Sequence, residues 1–128
     1  LRQTVGRTAG APDFEGRPAG ERAAVLRDML AAGCPPTEPQ DEGSRRELAV
    51  FRAIAEARRR FGAESVGPYI GSMAQGPDDV LGVLWLARAA GLSTDDGHVE
   101  LDVAPLFETV DDLSSAGVTH EAMLEDPL

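Results

Sequence analysis

Apolar residues along the chain alternate between helical spacing and nearly unbroken runs, and that alternation predicts the order of elements. Val25, Leu26, Met29 and Leu30 form a helical stripe within Pro18 to Ala32, with Glu21 and Arg22 outside it, and Gly33 followed by Pro35-Pro36 stops the helix. A polar, proline-rich linker from Pro35 to Glu42 leads to Ser44-Arg45-Arg46-Glu47, the spacing of a capping box. The second helix that follows has Val50, Phe51, Ile54, Ala57 and Phe61 on one stripe, and Gly62 is placed for a left-handed C-terminal cap. Val66 to Ala74 predicts a strand. Pro77 opens a third helix with Asp78 and Asp79 in its first turn, and its apolar residues from Val80 to Leu86 lie almost all round, so it is expected to be buried on more than one side. It ends near Gly91. A turn through residues 93–97 precedes a second strand from Val99 to Phe107 and a short helix beginning at Thr109-Val110-Asp111-Asp112, whereas Leu1 to Pro18 has no period and predicts a short extended start and a loop. Strand, helix, strand, helix is the pattern of a helix-rich parallel α/β unit with a right-handed crossover.

Composition narrows the class. The chain has 128 residues and a formal net charge of −10, enough for one ordinary acidic domain. The charge is split: residues 1–63 hold 11 Arg against 9 acids (+2), and residues 64–128 hold one Arg against 13 acids (−12). A −12 half would repel a phosphate backbone, so no nucleic-acid partner is expected. The apolar run from Val80 to Leu86 is far short of the ~20 residues that span a bilayer, so no membrane association is expected. Leu1-Arg2-Gln3-Thr4 lacks the features of a signal peptide, and a single cysteine, Cys34, makes no disulfide framework; a cytoplasmic setting follows as the expectation. The absence of an initial Met is expected of a piece of a longer protein.

Few residues stand out chemically. Glu108 directly follows an apolar strand, at the carboxyl end where parallel α/β sheets and barrels place ligands, and a carboxylate there suits a hard cation such as Mg²⁺. Asp111 and Asp112 could add ligands, but Thr109 with Asp112 three residues on is a capping pattern. Arg58-Arg59-Arg60 reads as a solvated last helical turn rather than an anion site. His98 and His120 have no partner at metal-ligand spacing. Arg2 is an isolated basic residue that composition alone does not single out.

A resemblance gives some of these residues roles. Tyr69-Ile70-Gly71-Ser72-Met73-Ala74, then Asp79-Val80-Leu81, then Pro105-Leu106-Phe107-Glu108-Thr109 with Asp111-Asp112-Leu113 resemble phosphoenolpyruvate carboxylase, in the family's order and separation. Leu1-Arg2-Gln3 through Arg7 is similar to the family's Ile-Arg-Gln-Glu-Ser-x-Arg segment, and Met123-Leu124 and Pro127 match the expected continuation. Departures are Gly71 where the family often has a branched apolar residue, Asp78 where it usually has Ser, and Thr8 where a His commonly stands.

The resemblance implies a partial (β/α) TIM-like barrel segment, about two parallel strands with flanking helices. Residues 1–128 would form a single internal fragment: a loop and two-helix excursion over 1–63, then a β-α-β-α unit over 64–128. It implies an enzyme that carboxylates phosphoenolpyruvate with bicarbonate to oxaloacetate and phosphate, feeding the tricarboxylic acid cycle, with Mg²⁺ or Mn²⁺ as cofactor. Glu108 would be a metal ligand and Arg2 a substrate-binding residue; the full-length enzyme would be a homo-oligomer. The family's second metal-ligand Asp, catalytic His and glycine-rich loop have no counterpart in these 128 residues, so no carboxylase activity is expected of this chain alone. The alternative is a non-enzymatic, acidic helical interaction module derived from the family.

Overall fold

A computed structural model, which describes residues 1–72 and 74–125, has five helices and one parallel strand pair among those residues. They run α1 (Arg2–Thr8), α2 (Ala19–Ala32), α3 (Glu42–Phe61), β1 (Tyr69–Gly71), α4 (Pro77–Ala89), β2 (Val103–Pro105) and α5 (Val110–Leu124), with single 3₁₀ turns at Phe14–Gly16 and Ala63–Ser65. Met73 and Pro127, quoted in the resemblance, lie outside the described residues.

α4 is the hub, packing against α1, α2, α3, both strands and α5. Its sequence is apolar on every side, and Leu81, Val83, Trp85, Leu86 and Ala87 are all buried as that pattern predicts. Val5, Phe14, Leu26, Leu48 and Phe51 converge on it to form one core. The predicted ends of α2 and α4 are those observed. Gly33 at φ +66° takes the left-handed conformation, its N–H bonding to the Leu30 carbonyl and that of Cys34 to Met29. Gly91 at φ +87° ends α4 the same way, with Gly91 bonded to Arg88 and Leu92 to Ala87.

The strands pair in parallel, Tyr69 opposite Val103, Ile70 opposite Ala104 and Gly71 opposite Pro105, joined through α4. Both are much shorter than the predicted Val66–Ala74 and Val99–Phe107. Gly67-Pro68 precedes the first, Pro105 withholds an N–H from the second, and Val99 instead forms an antiparallel bridge to Ser93.

Other expectations fail for identifiable reasons. The start of the chain is a helix, not extended: α1 buries Val5 at 1% exposure, and the Thr8 hydroxyl bonds the Thr4 carbonyl at 2.9 Å while accepting the Trp85 indole N–H at 2.9 Å. Tertiary contact, not local pattern, makes this element. α3 begins earlier than Ser44, because Asp41 is the N-cap and accepts the Ser44 backbone N–H at 2.9 Å; Ser44 lies buried inside the helix and receives a hydrogen bond from Arg7. The stripe of α3 is correspondingly rotated: Leu48 and Phe51 are buried, whereas Val50 and Phe61 are exposed. Gly62 has a positive φ, but its extended ψ of 162° is not the left-handed cap. α5, with 15 residues, is longer than expected, and its capping box is the one predicted: Thr109 Oγ1 accepts from Asp112 N at 3.0 Å and Asp112 Oδ2 from Thr109 N at 3.2 Å.

Candidate functional site

A cavity of about 380 Å³ opens where both strands end, lined among others by Arg2, Glu15, Gly71, Ser72, Asp79 and Pro105. Gly71 and Pro105 are the final residues of β1 and β2, so the cavity occupies the carboxyl edge at which parallel sheets place their ligands. α1 brings Arg2 to this edge by docking on α4.

Arg2 is held there by a two-point bond. Its Nε donates to Asp79 Oδ1 and its Nη2 to Asp79 Oδ2, each at 3.0 Å, and Nη2 also reaches Gln75 Oε1 at 3.3 Å. Hydrogen bonding to Asp79, against the smaller opposing cost of partial burial, raises the Arg2 guanidinium further above its ordinary value. Asp79 Oδ2 accepts the Gln75 backbone N–H at 2.9 Å as well, so one carboxylate ties α1 to the loop that follows β1. Parallel N–H···O bonds of this fork–fork kind fix the guanidinium plane as well as its position.

Behind this pair lies a second. Arg22 on α2 donates from Nε to Asp78 Oδ2 at 2.7 Å, with Nη2 also at 2.7 Å, and both side chains are almost fully buried. Asp78 Oδ2 stands 3.8 Å from Arg2 Nε, which links the pairs into an alternating row, Arg22, Asp78, Arg2, Asp79. Gly76 just before α4 makes room for it, since a Cβ there would lie 2.8 Å from Asp78 Oδ1. The expectation that Arg22 lies outside the stripe of α2 is therefore wrong. Its spacing of four from Leu26 and eight from Leu30 places it on the buried face, a signal the sequence did carry. The role of Asp78 and Asp79 as arginine partners, rather than only favourable charges in a first turn, could not be read from sequence.

Glu108 stands three residues past the end of β2, exposed, with no hydrogen bond or ion pair among the described residues, and it is not part of the cavity wall around Arg2. The structure thus brings Arg2 and Glu108 to the same edge of the sheet without placing them in one pocket. Asp112 is committed to its cap, and no group of three or more His, Cys, Asp or Glu among the described residues could hold a metal ion. Glu108 acting by itself would offer a metal ion one carboxylate, a density that suits Mg²⁺, which keeps most of its octahedron for water and substrate oxygens. The arginine run behaves as a helix end: Arg59 pairs with Glu56, Arg58 donates to the Val66 carbonyl and Arg60 lies over the Phe61 ring. No helix among the described residues is long and apolar enough to cross a membrane.

Comparison with known proteins agrees with the sequence resemblance. Residues 3–128 match the family model for phosphoenolpyruvate carboxylase, a span that begins one residue after Arg2. A phosphoenolpyruvate carboxylase of Xanthomonas euvesicatoria pv. vesicatoria is 47% identical over 126 residues, which are 98% of this chain and 14% of that protein. One from Mycobacterium avium is 37% identical over 123 residues (91% of this chain, 13% of the relative), and one from Rhodopseudomonas palustris is 38% identical over 106 residues (80% and 11%). The chain therefore spans about 14% of the length of the first of these relatives.

Proposed function

The chain belongs to the phosphoenolpyruvate carboxylase family, and from that premise we propose that it supplies two side chains to a carboxylase site completed by the rest of a longer protein. Arg2 binds an oxyanion of phosphoenolpyruvate and Glu108 is one ligand of a Mg²⁺ or Mn²⁺ ion. The reaction is carboxylation of phosphoenolpyruvate by bicarbonate to oxaloacetate and phosphate, in the cytoplasm and in a homo-oligomer. One observation supports this above the others: residues from opposite ends of the chain are gathered at the carboxyl edge of the same parallel strand pair, Arg2 in its cavity and Glu108 just beyond β2.

The chemistry asks for both kinds of group. A bound divalent cation supplies charge neutralisation for phosphate and enolate oxygens. The guanidinium of Arg2 contributes geometry as well as charge, because Asp79 has already fixed its plane, while the two Nη1 hydrogens have no partner among the described residues. Glu108 is exposed and unpaired among the described residues, so it enters a coordination shell without first breaking an ion pair there. One arginine and one carboxylate do not make a complete site, and the 128-residue chain alone has no carboxylase activity in this reading.

The test exchanges the matching segment of the Xanthomonas euvesicatoria relative for this chain. The hybrid should form oxaloacetate, Glu108→Gln should raise its Mn²⁺ requirement by at least about 10–100-fold, and Arg2→Gln should raise KM for phosphoenolpyruvate. Bicarbonate-dependent oxaloacetate formation by the isolated chain would show that the site is complete without the rest, and an unaltered Mn²⁺ requirement in the Glu108 variant would remove that residue from the metal.

A further inference from the structure

We propose that Asp79 is the positioning residue for Arg2, presenting the Nη1 edge of its guanidinium to the substrate oxyanion. The inference rests on the reading of Arg2 given above and adds the residue through which Arg2 is aimed. An unrestrained arginine has several rotatable bonds and would lose that freedom on binding each substrate molecule. Here the loss is incurred on folding: Asp79 takes Nε and one Nη2 hydrogen at 3.0 Å each, and Gln75 takes the other edge of Nη2 at 3.3 Å. Three of the five donor hydrogens are thereby assigned, and the two on Nη1, without a partner among the described residues, are left for a ligand of the cavity that Arg2 lines.

Asp79 is itself held. It sits in the first turn of α4, the most deeply packed helix, and its Oδ2 accepts the Gln75 backbone N–H. Asp78, one residue earlier and only 3.8 Å from Arg2 Nε, would compete for the guanidinium if its charge were free, and Arg22 occupies the same oxygen, Oδ2, at 2.7 Å. Arg22 thus keeps Arg2 on Asp79. A carboxylate paired this closely also lowers the net charge of the cavity, so the opposite role, Asp79 withholding Arg2 from anions, makes the opposite prediction.

The experiment compares Asp79→Asn, Arg2→Gln and the double variant in the same hybrid enzyme. Positioning predicts that Asp79→Asn raises KM for phosphoenolpyruvate about tenfold with a smaller change in kcat, and that it adds nothing once Arg2 is Gln. Additive effects would make Asp79 a purely structural residue, and a lowered KM would make it a restraint; either overturns the proposal. If Arg2→Gln leaves KM unchanged, the substrate role of Arg2 fails instead, whatever Asp79 does. A second measurement needs no activity. In the 128-residue chain labelled with ¹⁵N, the Arg2 Nε–Hε proton should exchange with solvent about tenfold more slowly than in Asp79→Asn, and equal exchange in the two would show that the pair is not formed.

Discussion

α4 and α5 are successive helices of one β-α-β-α unit, each following a short parallel strand, yet they meet opposite surroundings. α4 buries Trp85, Leu86 and Ala87 completely. α5 buries nothing: Val110, Leu113, Val118 and Leu124, which fall on one side of the helix, are 61–79% exposed. The two are comparable in length, α4 opening on Pro77 and α5 on its Thr109 capping box, and each forms a full helix whatever surrounds it. The difference lies in neighbours. α1, α2 and α3 close around α4, whereas α5 has α4 as its main contact and keeps its apolar stripe uncovered. Helix formation and helix burial are thus separate properties, the first set by caps and spacing and the second by what else the chain brings near.

That contrast can be broken most severely at the buried ion pair. Asp78→Ala strands the Arg22 charge in the interior and should destabilise the chain by about 3–5 kcal/mol in denaturant unfolding, while Arg22→Met with Asp78→Leu should recover most of the loss. A loss below about 1 kcal/mol would mean that water reaches the pair. Next in size is Thr8→Val, which leaves the Trp85 indole N–H buried without an acceptor and should cost about 1–3 kcal/mol.

The third effect depends on pH. The Ser44 backbone N–H, ahead of the Arg7 ion pair, holds the Asp41 carboxyl at about 2, below its ordinary 3.8. Because the folded value is depressed, the stabilisation is complete above pH ~4 and lost as pH falls through about 2. Asp41→Asn keeps a capping side chain but does not titrate, so the melting-temperature gap between it and the parent should narrow over that window; a constant gap would deny the ionised cap a role. Smallest is Leu113→Ser on the open side, expected to change stability by no more than about 0.5 kcal/mol. A larger loss would show that the stripe of α5 is covered in solution.

What was legible in the sequence follows the same division. Gly33, Gly91 and the Thr109–Asp112 box mark helix ends by chemistry confined to a few residues, and the structure has them where the pattern put them. The inward face of α3 is not legible in the sequence because Val50 and Phe61 are as apolar as Leu48, and only packing against α1 and α4 decides which face is inward. α1 leaves no local signal because seven residues cannot sustain a helix alone, and what holds them, Val5 in the core and Thr8 on Trp85, is remote in sequence. The site shows both cases. The place of Glu108 beyond a strand was apparent from the apolar run before it, but the pairing of Arg2 with Asp79 required knowing that α1 docks on the start of α4.

That docking has a consequence in time. The Arg2–Asp79 and Thr8–Trp85 bonds each join residues 77 positions apart, and both fasten the first element to the fourth helix. During synthesis at about 5–20 residues per second, α1 is made roughly 4–15 s before its partner residues. Through that interval α1 can pack only on the Phe14 turn and α3, so the arginine is set in place only once α4 has been made.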